Sequence, residues 1–152
     1  MKKLLRKAPA KPLKQVAALP FRIDADGQLE VLLITSRDTG RWIIPKGWPM
    51  IGRKAHQAAE REAFEEAGLK GRIGASPVGW YRYEKRLDRG LALPCKVRVF
   101  PLLVEVQHER WPERHQRTLR WFRPEEAARL VHEDELQRLL EGFAALALDG
   151  GA

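Results

Sequence analysis

Three glutamates lie close together in the stretch REAFEEAGL, at Glu62, Glu65 and Glu66. On a helix, residues three and four apart share one face, so this spacing turns all three carboxylates to the same side. Like charges repel, and a cation among them relieves the repulsion; hard carboxylate oxygens suit Mg²⁺ or Mn²⁺. The pattern predicts a divalent-metal site on this helix, and the alternative is an ordinary solvated acidic face.

The residues around the glutamates extend the pattern. Gly47 lies fourteen residues before Arg61, and Gly68 with the apolar Leu69 closes the stretch. This arrangement resembles the Nudix box, in which a glycine, an Arg-Glu pair, a Glu-Glu pair and a final glycine recur at fixed spacing. The matching positions are Gly47, Arg61, Glu62, Glu65, Glu66, Gly68 and Leu69.

Two positions depart from the family's pattern. Ala63 replaces a larger aliphatic residue, which leaves the helix less to bury. Arg53 stands six residues after Gly47, where the family has a glutamate in the loop before the helix. A cation cannot do the same job there. Either Arg53 faces the phosphates of the substrate, or this loop is held in another way.

The resemblance implies roles for the residues of the box. Glu62 and Glu66 are expected to be metal ligands, and Glu65 a ligand directly or through water. The backbone carbonyl of Lys46 is the expected additional ligand. Arg61 is expected to orient one of the glutamates, so the expected catalytic residues are Arg61, Glu62 and Glu65. Glu62 is the first choice for the general base, and the alternatives are two later glutamates, Glu109 and Glu113.

Phosphate recognition is expected from basic and hydroxyl side chains around this site. The first group lies where resembling enzymes place phosphate contacts: Lys14, Ser36, Arg37 and Arg41. The second flanks the metal helix: Lys46, Arg53 and Lys54. Later candidates are Lys85, Arg86, Lys96 and Arg117. Each of them has the alternative of being an ordinary exposed charge.

Segments outside the box indicate which group of the family this sequence resembles. RWIIPKGWPM, CKVRVFPLLVEV and RTLRWFRPEEA are similar to the diphosphoinositol polyphosphate phosphohydrolases, a Nudix group that also acts on diadenosine polyphosphates. This implies a metal-dependent hydrolase of phosphoanhydride bonds in diphosphoinositol or dinucleoside polyphosphates. Two alternatives stay open: an RNA 5′-pyrophosphohydrolase, which the basic N-terminal segment favours, and a non-catalytic Nudix-fold binding module, which Arg53 favours.

The pattern of apolar residues and turns predicts the elements that position these groups. Strands are expected at 15–21, 29–36, 41–45, 78–87, 95–106 and 118–122. Helices are expected at 54–67, 124–131 and 133–148, the first ending at Gly68. Pro101 predicts a bulge or an edge position within an otherwise central strand. The expected fold class is α/β, a Nudix fold in which a mixed β-sheet lies between helices in an α/β/α sandwich.

Composition sets the remaining expectations. With 152 residues we expect one domain, residues 13–148, preceded by a basic flexible arm, residues 1–12. A net charge of +8 and a pI near 10.0 predict a polyanionic partner. We expect a small polyphosphorylated substrate; nucleic acid is possible without a motif to support it, and no membrane is expected. The single cysteine, Cys95, cannot form an internal disulfide, which favours a cytoplasmic location.

Overall fold

The computed structural model describes residues 11–87 and 90–151, so most of the predicted basic arm lies outside the described residues. The strands are β1 (Leu13–Ile23), β2 (Leu29–Thr35), β3 (Trp42–Ile43), β4 (Lys46–Gly47), β5 (Leu69–Ile73), β6 (Gly79–Arg86), β7 (Ala92–Gln107) and β8 (Leu119–Phe122). The helices are α1 (Ala55–Ala67), α2 (Pro124–Leu130) and α3 (Asp134–Gly151). In this described part of the chain, none of the helices has the length and hydropathy needed to span a membrane.

All eight strands of the described residues form one mixed sheet, as predicted. Its main order is β3-β2-β1-β7-β5, with β4 beside β1, β6 beside β7 and β8 beside β2. β1 and β7 run parallel, and the other pairs are antiparallel. β7 is therefore central, with β1 on one side and both β5 and β6 on the other.

Pro101 pairs with Leu19 of β1 and lies at a gap in the pairing on the other side of β7, rather than at a bulge or an outer edge. The pairing with β6 ends at Val99, and the pairing with β5 begins at Leu102. The Pro101 carbonyl accepts a hydrogen bond of 2.8 Å from the Gly74 N–H in the connection between these two strands. The register shift lies elsewhere, between Lys70 and Gly71. The absence of an N–H at Pro101 is tolerated because neither β5 nor β6 pairs with this residue.

Alternate residues of the central strands face two separate cores, which confirms the α/β/α sandwich. One face packs against α1 through Val16, Ala18, Leu32, Ile34, Phe100 and Leu102. The other face packs against α2 and α3 through Ala17, Leu19, Val31, Leu33, Val97 and Val99. This period of two is what a strand buried on both faces requires.

The helix that carries the glutamates is confirmed within one residue of its predicted start. The Lys54 N–H donates to Gln57 Oε1 at 2.9 Å, which satisfies a donor at the N-terminus. Gly68 ends the helix in the left-handed region with φ 71°, and its N–H donates to the Phe64 carbonyl. α1 faces the sheet with the small residues Ala58, Ala59, Ala63 and Ala67, which allow close packing. Two strands were not predicted: β4, which has two residues, and β5, which has five.

Candidate active site

A cleft of about 260 Å³ lies where α1 faces the ends of β1, β2 and β4 and the turn before β8. Its lining combines four carboxylates, Asp38 and three glutamates, with several cations. The glutamates are Glu62, Glu66 and Glu113, and the basic side chains are Arg37, Lys46, Lys85 and Arg117. The other lining residues are Gln15, Ser36, Asp38, Ile43, Gly47, Trp48 and Tyr83. Both signs of charge meet here, which suits a metal ion together with an anionic ligand.

β4 brings the backbone against the α1 glutamates. In its antiparallel pairing with β1, Ala17 lies opposite Lys46 and Val16 opposite Gly47. The Lys46 N–H donates to Glu66 Oε1 at 3.2 Å. Because the N–H and C=O of one strand residue point to the same side, the Lys46 carbonyl also faces α1. The metal-ligand role that the resemblance implied for this carbonyl stays a prediction.

The Glu62 carboxylate lies so close to the backbone of residue 47 that only glycine fits there. A Cβ at position 47 would overlap the Cδ and both oxygens of Glu62, so any other residue would displace this side chain. The glycine is therefore needed for close approach of the backbone to a carboxylate and not for an unusual φ.

Arg117 holds two of the three cleft glutamates in place. Its side chain is only 6% exposed. Its Nε donates to Glu113 Oε1 at 3.0 Å, its Nη1 donates to the Thr35 carbonyl at 3.1 Å, and its Nη2 lies 3.5 Å from Glu66 Oε2. Arg117 was a candidate for phosphate binding, and the structure shows instead a buried guanidinium that is already paired with protein acceptors.

The two α1 carboxylates of the cleft are poised near neutral pH. Burial raises the pKa of Glu62 to about 8, with further increases from the neighbouring Glu66, Glu65 and Glu113. Burial also raises the pKa of Glu66 to about 7, and the Arg117 guanidinium opposes this rise. At neutral pH the pair therefore retains a proton, which a divalent cation can replace.

This raised pKa predicts a pH-dependent effect of Glu62→Gln on the metal-free protein. The folded state keeps the proton between the ordinary glutamate value of 4.5 and about 8, so wild-type stability falls as pH rises through this window. Glu62→Gln has no carboxyl group at this position, so its stability does not fall in this way. We expect no difference below pH 4.5 and a stabilisation above pH 8 on the order of 1 kcal/mol after discounting for solvent screening.

Thermal melting in EDTA at several pH values measures this difference. Glu60→Gln is the matched control, since Glu60 is a carboxylate of the same helix that neither lines the cleft nor raises the pKa of Glu62. A stabilisation by Glu62→Gln that is equal at pH 4 and pH 9 would contradict the predicted coupling.

The oxygen donors fit a small hard cation, although no preassembled cluster of three acidic, histidine or cysteine ligands exists among residues 11–87 and 90–151. Glu62 and Glu66 project into the cleft, and the Lys46 carbonyl faces them. Two carboxylates and one carbonyl, completed by water or phosphate oxygens, are a typical donor set for Mg²⁺.

Glu65 takes a different position from Glu62 and Glu66. Its Oε1 accepts a hydrogen bond of 3.1 Å from Arg61 Nε, one turn earlier on the same helix. Neither residue lines the cleft. Arg61 thus orients one of the three glutamates, and this glutamate is Glu65. Its backbone also anchors the site, because the Glu65 carbonyl accepts from the Glu113 N–H at 3.0 Å.

The structure brings part of the predicted phosphate-binding set together. Ser36, Arg37, Lys46 and Lys85 line the cleft, whereas Lys14, Arg41, Lys54, Arg86 and Lys96 do not. The Ser36 hydroxyl accepts from the Asp38 and Thr39 N–H groups, at 3.2 and 3.4 Å, and so shapes the turn after β2. Burial lowers the pKa of Lys46, while the Glu66 carboxylate opposes this effect.

Arg53 lies in a second, separate hollow of about 150 Å³ on the outer side of α1. The hollow is lined by Arg53, Gln57, Glu60, Arg61, Phe64, Leu69 and Lys70. This position explains how a cation is tolerated at the glutamate position of the box: the side chain is exposed and does not meet the cleft carboxylates.

Gln15 and Tyr83 were missed from the sequence. Gln15 is buried, and its Oε1 accepts a hydrogen bond of 2.5 Å from the Tyr83 hydroxyl. The Lys46 ammonium lies 4.9 Å from the centre of the Tyr83 ring. Nothing local distinguishes these residues from ordinary strand residues. Only the pairing of β1, β6 and β7 brings them to the cleft.

Comparison with known proteins places this fold and site in a family. Residues 13–143 match the NUDIX domain. The chain is 35% identical over 124 residues to Nudix hydrolase 12, mitochondrial, of Arabidopsis thaliana, covering 80% of this chain and 61% of that protein. The chain therefore belongs to the Nudix family.

Further relatives show the range of this similarity. The chain is 35% identical over 138 residues to diphosphoinositol polyphosphate phosphohydrolase 3-beta of Bos taurus, covering 85% of this chain and 79% of that protein. The solved structure of the C. elegans Ap4A hydrolase shares the fold, with a TM-score of 0.62 and 24% identity over 90% of this chain and 98% of that one.

Proposed function

We propose that this protein is a divalent-metal-dependent Nudix hydrolase that cleaves phosphoanhydride bonds in diphosphoinositol or dinucleoside polyphosphates. One observation carries the proposal: Glu62 and Glu66 of the Nudix helix project into a cleft that also holds basic side chains and the Lys46–Gly47 backbone. The names of the bovine relative and the C. elegans structure support this choice of substrates. The cytoplasmic location stays a prediction.

Glu62, Glu66 and the Lys46 carbonyl would hold Mg²⁺ or Mn²⁺ in this cleft. A bound divalent cation supplies neutralisation of phosphate charge and a lower pKa for the attacking water. Arg117 keeps Glu66 turned toward β4, since it bonds to both Glu66 and the Thr35 carbonyl. Gly47 leaves room for the Glu62 carboxylate.

The residues opposite α1 bind the substrate in this proposal. Arg37 and Lys85 line the cleft and offer charge to phosphate oxygens. In this proposal Glu62 accepts the proton of the attacking water, because its carboxylate points into the cleft. Glu113 Oε1 already accepts a hydrogen bond from Arg117, so this oxygen is engaged within the protein.

Hydrolysis assays on a panel of substrates test the proposal. Wild-type protein is incubated with diadenosine pentaphosphate, a diphosphoinositol polyphosphate, ATP or ADP-ribose, with Mg²⁺, with Mn²⁺ or with EDTA. Phosphorus NMR identifies the bond that breaks. We expect metal-dependent cleavage with the highest kcat/KM for substrates with four or more phosphates. Release of no product from any of them would instead favour the non-catalytic binding module.

A second expected result is a strong dependence on salt. The basic side chains that line the cleft attract the polyanionic substrate through screened Coulomb forces. Raising the salt concentration from about 50 to 200 mM should lower kcat/KM for diadenosine pentaphosphate several-fold, mostly through KM. ADP-ribose, with fewer charges, serves as the control. Equal salt dependence of both substrates would contradict selection by phosphate density.

A further inference from the structure

A group of cations surrounds an exposed tryptophan on the face of the sheet that α1 covers in part. We call it the cation–indole patch and define it as Lys14, Trp80, Lys96 and Arg98. The register places them together: Lys14 lies opposite Lys96 on β1 and β7, and Trp80 opposite Arg98 on β6 and β7. Phe100, two residues after Arg98, belongs to the core beneath α1, so these side chains share that face.

The indole of the patch is in direct contact with charge. The Lys96 ammonium lies 4.6 Å and the Arg98 guanidinium carbon 4.9 Å from the centre of the Trp80 ring. Trp80 remains 39% exposed. Within residues 11–87 and 90–151, no carboxylate lies within salt-bridge distance of Lys14, Lys96 or Arg98. Their positive charge is thus available to an anionic ligand.

A neighbouring arginine, in contrast, is paired with a carboxylate. Arg82 lies opposite Lys96 on the same face, and its guanidinium is bound by Glu135 at 3.1 and 3.2 Å. The patch cations have no such partner in the described chain.

The patch begins at the rim of the cleft. Lys14 lies two residues before Val16 on the same face of β1, and Val16 pairs with Gly47, against which the Glu62 carboxylate packs. β6, which carries Trp80, lies two strand spacings from β1, about 10 Å away. A ligand with one end at Glu62 and Glu66 therefore needs an extended chain to place its other end on the indole.

We propose that the patch is a second subsite that takes the distal nucleotide of a dinucleoside polyphosphate. The nucleobase stacks on Trp80, and the adjoining phosphates contact Lys14, Lys96 and Arg98. An inositol ring has no aromatic face, so Trp80 contributes nothing to a diphosphoinositol polyphosphate. The inference rests on the proposed function and selects, between its two substrate classes, the dinucleoside polyphosphates.

Equilibrium binding in EDTA tests the subsite without any hydrolysis. The ligands are diadenosine pentaphosphate and inositol hexakisphosphate, which carry high negative charge with and without nucleobases. We expect Trp80→Ala to raise the Kd of diadenosine pentaphosphate about tenfold, the size of a lost base-stacking contact. Trp80→Phe should retain most of the affinity, and neither variant should change the Kd of inositol hexakisphosphate.

Charge variants test the phosphate contacts. Arg98→Ala should weaken both ligands, whereas Arg129→Ala, which removes an exposed charge from α2 on the other side of the sheet, should weaken neither beyond a general field effect. Quenching of tryptophan fluorescence by diadenosine pentaphosphate should diminish in Trp80→Phe.

Three outcomes would overturn the subsite. They are an unchanged Kd of diadenosine pentaphosphate in Trp80→Ala, equal weakening of both ligands by this change, and no binding of diadenosine pentaphosphate to the wild type. A short single-stranded RNA weakened by Trp80→Ala, with diadenosine pentaphosphate unaffected, would assign the patch to nucleic acid instead. Hydrolysis by wild-type protein tests the proposed function separately, so the two can fail independently.

Discussion

Glu66→Gln is expected to abolish metal-dependent hydrolysis while the protein remains folded. Glu66 is buried, points into the cleft and lies against the Lys46 N–H, so the amide keeps the shape but loses the anionic oxygen. We expect kcat to fall by at least about 10²-fold. Stability should change by no more than about 1 kcal/mol, since Glu66 retains part of its proton at neutral pH.

Initial rates with Mg²⁺ or Mn²⁺ and thermal melting of the same samples measure the two effects. Glu62→Gln should reduce turnover nearly as strongly. Glu65→Gln is the control on the same helix, because Glu65 is paired with Arg61 outside the cleft. Near-wild-type turnover of Glu66→Gln would show that the metal site is assigned to the wrong residues.

Arg117→Met is expected to be the most destabilising single change in the site. It leaves Glu66, Glu113 and the Thr35 carbonyl without their buried donor. Breaking a buried ion pair by removing one partner costs about 3–5 kcal/mol. Urea unfolding measures the loss, and Arg117→Lys should lose less because it keeps the charge.

Arg37→Met is the matched control for this change. Arg37 also lies near Glu113, at 3.8 Å, but its side chain is 54% exposed. An exposed pair contributes about 0–1 kcal/mol, so we expect little loss of stability. If Arg37→Met and Arg117→Met destabilise the protein equally, Arg117 is not the buried anchor described here. Should Arg117→Met fail to fold, the comparison of Arg117→Lys with Arg37→Met decides the same question.

Local signals in the sequence were sufficient for the long elements and for the metal helix. The i, i+3, i+4 spacing of Glu62, Glu65 and Glu66 and the stop at Gly68 depend only on helix geometry and on the left-handed φ that glycine tolerates. The apolar runs of β1, β2 and β7 likewise predicted buried strands. β4 was not predictable because two residues carry no period, and its existence depends on pairing with Val16 and Ala17.

The tertiary structure decided which charged residues meet. The sequence by itself determined the family pattern and one acidic helical face. It could not distinguish the basic residues that contact the glutamates from those that are exposed. The fold separates them: Arg117 is buried against Glu66 and Glu113, Arg37 stays at the mouth of the cleft, and Arg53 lies on the other side of α1. Such partners are distant along the chain, and only strand register and helix packing bring them within range of Coulomb and hydrogen-bond forces.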